Sequence, residues 1–230
     1  MKYKALLTDI EGTTTSIHFV HDELFPLAKK ELPEFLHRHS EQVIPQLENL
    51  REKIAHDTRR DLASVTTDDV IELLLAYIEQ DKKDTDLKVI QGKIWRHAYE
   101  SGKVKGHLYA EVLGTLQKLH TRSIVLSVYS SGSVEAQQLL FQYSTAGDLS
   151  SLFSHYFDTR IGAKREKESY ERIARFMEID PHDILFLSDV EAELDAAAEA
   201  GFQVLQVIRP GTEPSERHRH IATFEELNYS

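Results

Sequence analysis

Cysteine is absent from the chain. Its absence removes disulfides, thiolate nucleophiles and Cys-ligated zinc or iron–sulfur sites from consideration. Also missing is any apolar run approaching the ~18 residues a membrane span needs, so the chain is not expected to cross a bilayer. The opening Met1-Lys2-Tyr3-Lys4 leads into only a few apolar residues before acids appear. That is too little for a secretory signal, and a cytoplasmic location is the expectation. Positive charge is a third deficit: 27 Lys and Arg against 38 Asp and Glu leave a net charge of -11. Nucleic acid and anionic membrane surfaces select basic stripes and are poor partners for such a chain. An anionic small molecule would need local positive charge or a cation to bind it. No exposed apolar stripe is evident, which points to a monomer. The 12 His show no metal-ligand signature. His37 with His39, and His218 with His220, sit in charged surroundings and read as solvated surface, as do Arg59 and Arg60.

What is present suffices for a folded interior. With 41% hydrophobic and 28% charged residues over 230 positions, the chain can form one large domain or a core with a smaller companion. Residues 22–38, 44–56, 67–80 and 86–100 carry apolar positions at helical spacing. Thr66-Thr67-Asp68-Asp69 supplies a helix start, and Asp81-Lys82-Lys83-Asp84 a polar break. From residue 108 the pattern alternates. Helices are predicted over 108–119, 134–143, 168–177 and 192–200, and strands over 123–129, 153–157, 184–187 and 203–208, followed by a polar tail near 213–220. Such alternation implies parallel βαβ units. The helical stretch after the first strand then reads as an insertion into an α/β core.

Asp9 and Glu11 stand one residue apart where the first apolar run, Ala5-Leu6-Leu7, meets Gly12-Thr13-Thr14-Thr15. An acid ending a buried strand projects at the carboxyl edge of the sheet, where open α/β sheets bind ligands. Two carboxylates in unlike environments can divide nucleophilic or metal-binding work from proton transfer. The plainer alternative is a solvated turn whose Thr residues cap a following helix. Three later clusters also follow strands or short apolar runs. Ser130 and Ser131, in Tyr129-Ser130-Ser131-Gly132-Ser133, precede a helix and suit an anion, or merely cap it. Lys164, in Ile161-Gly162-Ala163-Lys164, can neutralise a phosphate or a carboxylate, or lie at the surface. Asp189 ends the run Leu185-Phe186-Leu187-Ser188, with Glu193 four residues on, or these acids serve only the helix dipole. Together they make an oxygen-rich edge of the kind Mg²⁺ prefers.

That ordered set resembles the haloacid-dehalogenase-like phosphohydrolases. The strings Asp9-Ile10-Glu11-Gly12-Thr13-Thr14, Ser130-Ser131-Gly132-Ser133-Val134-Glu135-Ala136-Gln137, Phe186-Leu187-Ser188-Asp189-Val190 and Val207-Ile208-Arg209-Pro210-Gly211 are similar to the enolase-phosphatases of methionine salvage. So are Trp95 and Gly106-His107-Leu108-Tyr109. Most of the superfamily places Asp two residues after the nucleophile; Glu11 departs from that, and the departure is a trait of the enolase-phosphatases. The resemblance implies an α/β fold with a doubly wound, Rossmann-like parallel sheet and an inserted α-helical cap. The core would be residues 1–18 and 103–230, and the cap 19–102. It implies an enzyme that enolises a diketo-methylthiopentyl phosphate and then removes its phosphate to leave an acireductone, with one Mg²⁺ per chain. Asp9 would be nucleophile and metal ligand. Glu11 would give its carbonyl to the metal and its side chain to proton transfer, Asp189 would bind the metal, Ser130 and Ser131 would bind substrate oxygens, and Lys164, also catalytic, would bind the phosphate and Asp9. Glu193 would orient Lys164 or a metal-bound water. Which group takes the carbon-bound proton stays open, with Glu11 the candidate. Trp95, Tyr99 and Phe19 are candidates for the methylthio tail, with core packing the favoured role for each. The rival readings are a sugar-phosphate phosphatase without an enolase step and a non-turnover phosphoacceptor module.

Overall fold

The computed structural model describes residues 2–80 and 82–227; Met1 of the opening segment and Asp81 of the polar break lie outside the described residues. The chain divides into two compact units, Met1–Phe19 with Lys105–Ser230, and Val20–Val104. No helix among the described residues is long and apolar enough to cross a membrane.

The inserted unit contains α1 (Phe25–Arg38), α2 (Ile44–Thr58), α3 (Thr67–Glu79) and α4 (Thr85–Glu100). Each start has a local cause. Thr66 and Asp69 form a reciprocal capping box on α3, and the Asp84 side chain accepts the Leu87 N–H at the start of α4. Proline sits in the first turns of α1 and α2, where its missing N–H costs nothing. The helix predicted from residue 22 begins instead as a π-helical turn, Phe19–Leu24, before α1. Leu32, Leu36, Leu74 and Ile90 form the fully buried centre, with Trp95 packed against it. The Trp95 indole N–H donates to the Leu24 carbonyl at 2.9 Å, and Tyr99 is 3% exposed. Tyr99 is thus buried in this unit, and Trp95 is partly buried against its core. His39 is partly exposed, and its ring centroid lies 4.6 Å from that of His97 with the planes tilted by 42°.

The other unit is built on β1 (Ala5–Thr8), β2 (Val125–Tyr129), β3 (His155–Phe157), β4 (Ile184–Ser188), β5 (Gln203–Val207) and β6 (His220–Ile221). All pairings are parallel, in the order β3-β2-β1-β4-β5-β6. The helices α5 (Ala110–Thr121), α6 (Val134–Gln142), α7 (Lys167–Met177) and α8 (Glu191–Glu199) connect the strands. Side chains alternate between faces of a strand. Ala5, Leu7 and Phe186 therefore meet Tyr170, Ile173 and Leu194 of α7 and α8, while α5 packs on β2 and α6 on β3. Cover on both faces explains why β1 and β4 are buried at every residue.

Two differences from the sequence pattern have clear reasons. Ser123 takes a left-handed φ of 59°, so β2 starts at Val125 and not at the expected 123. The stretch read only as a polar tail, near 213–220, runs into β6, in register Gln206↔His220 and Val207↔Ile221. Within that tail His218 is not solvated. Its side chain is 11% exposed, and its Nε2 lies 2.7 Å from Asp195 Oδ1. From β1 the order runs through β2 to β3 on one side and through β4 and β5 to β6 on the other, so the winding reverses between β1 and β4. The crevice outside the carboxyl ends at such a switch point is where open α/β sheets hold ligands.

Candidate active site

Asp9 directly follows β1 and is still tied to the sheet by its N–H, which donates to the Leu187 carbonyl at 2.9 Å. The chain then folds sharply back. The Ile10 carbonyl accepts the N–H groups of Thr13, Thr14 and Thr15 at 3.2, 3.0 and 2.9 Å, and Gly12 takes φ 71°. This turn consumes the threonines, which are fully buried and do not cap a helix. Asp9 itself is 4% exposed. Its Oδ1 accepts the Ile10 N–H at 2.7 Å and lies 2.7 Å from the Lys164 ammonium.

Lys164 is buried too, and its Nζ also reaches Glu193 Oε2 at 2.7 Å. The alternative of a surface lysine is therefore excluded. Burial acts to lower the Lys164 pKa, yet the charges of Asp9 and Glu193 outweigh it and hold the ammonium well above the ordinary lysine range. Burial and the Asp9 charge push the Glu193 carboxyl up, against Lys164 and the Ser188 hydroxyl, which donates to it at 2.9 Å. The loop carrying Lys164 is fixed through three consecutive carbonyls. Tyr129 donates to that of Gly162 at 2.9 Å, Ser169 to that of Ala163 at 2.7 Å, and Tyr170 to that of Lys164 at 2.6 Å. None of these hydroxyls was singled out from sequence. Only Tyr129, next to Ser130 in a quoted motif, carried a signal.

Asp189 follows β4 as Asp9 follows β1. Its N–H donates to Thr13 Oγ1 at 3.2 Å, and its carbonyl accepts the buried Gln206 amide at 3.0 Å. Burial and the neighbouring Asp9 push its carboxyl up to about 6. Its Oδ1 is buried with no hydrogen-bond partner. The carboxylate also lies against Gly12, where a Cβ would stand 2.7 Å from Asp189 Cγ. Glu11 is half-buried, bridges to Thr15 in the turn, and its charge adds to the upward push on Asp189.

After β2, Ser130 is buried, and its Oγ accepts the Gly132 N–H at 3.0 Å. The helix cap is Ser133, whose Oγ accepts the Ala136 N–H at 3.2 Å. Ser130 and Ser131 are thus not the capping residues of α6, and Ser131 is exposed. Gln137, the last residue of a quoted motif but given no role from sequence, donates to the Gly132 and Phe157 carbonyls at 2.9 and 2.8 Å and joins the β2 turn to the end of β3.

Asp9, Glu193 and Asp189 set three carboxylates against the single ammonium of Lys164. That excess of negative charge, with an orphaned carboxylate oxygen on Asp189, suits a hard divalent cation. Among the described residues no three His, Asp or Glu side chains form an all-protein metal cage. Mg²⁺ does not need one, because it binds through one or two carboxylates and keeps waters or substrate oxygens.

A family model described as haloacid dehalogenase-like hydrolase matches residues 3–201. The chain is 48% identical over 227 residues to "Enolase-phosphatase E1" of Citrobacter koseri, covering 98% of this chain and 96% of the relative. It is 47% identical over 217 residues to the protein of that name from Sorangium cellulosum, covering 94% and 93%. Among solved structures, the UTR4 protein of Saccharomyces cerevisiae aligns with TM-score 0.82 at 33% identity, over 98% of this chain and all of that one.

Proposed function

The chain belongs to the haloacid dehalogenase-like hydrolases and, within them, to the enolase-phosphatases, and from that premise we propose that it enolises a phosphorylated, methylthio-bearing diketone and then hydrolyses the phosphate ester to release an acireductone. The observation that carries the reading is the buried relay Asp9–Lys164–Glu193, two contacts of 2.7 Å at the switch point of the sheet, beside the orphaned Asp189 oxygen.

Asp9 is the nucleophile. The Ile10 N–H and the Lys164 ammonium both go to its Oδ1, which leaves Oδ2 to attack phosphorus. The new bond joins Oδ2 to phosphorus as the bond from phosphorus to the substrate oxygen breaks. Glu11 supplies the proton to the departing oxygen, and then takes one from the water that cleaves the aspartyl phosphate. In the first step Glu11 is the candidate for removing the carbon-bound proton. Lys164, held by Glu193, offsets the charge of the phosphoryl group as it approaches Asp9. Ser130 and Ser131, in the turn after β2, bind substrate oxygens. The side chains of Asp9 and Asp189 and the carbonyl of Glu11 would hold one Mg²⁺, which would supply positive charge to substrate oxygens that become more negative in either step.

Incubating the protein with the diketone phosphate and Mg²⁺, while following phosphate release and enediol absorbance together, tests the reading. Both signals are expected, with absorbance leading. Phosphate without an enediol chromophore would make the chain a simple phosphatase. Labelling of Asp9 without turnover would make it a phosphoacceptor module.

A further inference from the structure

Arg209 stands two residues past β5 and is 9% exposed. A guanidinium at that depth has to place its donors. Its Nε and Nη2 both donate to the Thr13 carbonyl, at 3.1 and 2.9 Å, and its Nη1 donates to the Ala222 carbonyl at 3.4 Å. Nη1 also lies 2.7 Å from Glu111 Oε1. This is a charge contact and not an aligned hydrogen bond, since Oε1 has no hydrogen-bond partner. The guanidinium carbon sits 3.8 Å from the centroid of the Tyr109 ring, and such a cation over a ring face is favourable.

Thr13 is the middle of the turn that follows Asp9, and its hydroxyl accepts the Asp189 N–H. Its neighbour Gly12 is the surface against which the Asp189 carboxylate lies. The Thr13 carbonyl therefore connects Arg209 to the loops bearing both carboxylates. We infer that Arg209 is a positioning residue for the proposed reaction. By clamping the Thr13 carbonyl it fixes the Asp9 turn and, through the Thr13 hydroxyl, the backbone of Asp189, and so holds both carboxylates ready for Mg²⁺. The inference rests on the reading of the site given above. Only a planar fork can direct two parallel donors at one oxygen while a third faces Glu111; a lysine ammonium is a point charge without that geometry.

The test compares Arg209→Lys, Glu111→Gln and Thr13→Val with the wild-type chain. Calorimetry with Mg²⁺ alone on substrate-free protein gives the metal affinity. Phosphate release from the diketone phosphate and from a simple aryl phosphate gives kcat and KM. Arg209→Lys is expected to weaken Mg²⁺ binding and lower kcat, each about 10- to 100-fold, with KM nearly unchanged, as for residues that orient metal ligands. Glu111→Gln removes the charge contact but leaves both donations to Thr13, so it should lower Tm while keeping kcat and Mg²⁺ affinity. If Arg209→Lys does not fold, Thr13→Val carries the test, with weakened Mg²⁺ binding expected. Wild-type Mg²⁺ affinity in a folded Arg209→Lys, or in Thr13→Val where that lysine variant does not fold, would overturn the inference. So would a loss of kcat in Glu111→Gln as large as that in Arg209→Lys. Absence of an enediol signal in the wild type defeats the enolase reading but not this one, because the aryl phosphate and the calorimetry score the clamp separately.

Discussion

Gly12→Ala isolates the contact between the two carboxylate-bearing loops. Gly12 adopts φ 71°, and a Cβ there would stand 2.7 Å from Asp189 Cγ. A side chain at such φ costs about 1–2 kcal/mol in backbone strain alone. Overlap with a packed neighbour adds roughly 1–3 kcal/mol unless the neighbour moves. The Asp189 side chain is half-buried and can swing, but only away from the place where its carboxylate faces the site. The variant therefore either keeps Asp189 and loses about 2–5 kcal/mol, or displaces it and keeps only the backbone penalty. At about 2–4 °C per kcal/mol for a chain of this size, the first branch should be plain in a melting curve followed by circular dichroism. The second should appear as weakened Mg²⁺ binding by calorimetry. Combining Gly12→Ala with Asp189→Ala removes the overlapping group, so the two changes should couple by about 1–2 kcal/mol in stability. A Gly12→Ala chain with wild-type Tm and wild-type Mg²⁺ affinity would refute the contact and the placement of Asp189 inferred from it.

Asp9→Asn should abolish phosphate release while leaving the chain folded, as read by activity and melting together; near-wild-type turnover would remove Asp9 as nucleophile. Glu11→Gln should slow enediol formation and phosphate release more than it weakens Mg²⁺ binding, and a dominant loss of metal affinity would contradict a proton-transfer role. Lys164→Met leaves Asp9 and Glu193 buried without their counter-ion, a change expected to cost about 3–5 kcal/mol near neutral pH. Glu193 already titrates above its unfolded value. Its ionisation therefore opposes folding at high pH, and the opposition fades as pH falls through the folded pKa towards the unfolded ~4.3. The Tm deficit of Lys164→Met should accordingly shrink between about pH 8 and about pH 5, and a constant or growing deficit would argue against the buried pair. Tyr170→Phe removes the donor to the Lys164 carbonyl and should cost about 1–3 kcal/mol with reduced kcat; unchanged kcat would separate that bond from catalysis.

Much of the sheet was legible because parallel strands buried on both faces read as apolar runs. Leu6-Leu7 and Ile184-Leu185-Phe186-Leu187 belong to a centre that no solvent reaches. The acids that end those runs were legible for the same reason, since a charge at the edge of such a strand needs an explanation. β6 was not legible. His220 and Ile221 form a strand only because Gln206 and Val207 offer a free edge beside them, and the surrounding residues are charged and without period.

The roles of Lys164 and Arg209 depend on partners far away in the chain, which is why local sequence left Lys164 open as a surface lysine until the resemblance assigned it, and gave Arg209 no role beyond its place in a quoted string. Lys164 meets Asp9 across 155 positions, from a loop whose carbonyls are held by hydroxyls of β2 and α7. Arg209 meets Thr13 across 196 positions. In both cases strand ends meet at one edge of the sheet, and the buried cation is matched there by carboxylates or by a turn carbonyl. Uncompensated burial of a Lys or Arg would cost several kcal/mol, so each stays inside only where such partners wait. Motif spacing indicates which strands end in acids. Which cations join them is decided by strand order, and here the reversal between β1 and β4 gathers residues from positions 9, 13, 164, 189 and 209 at one edge.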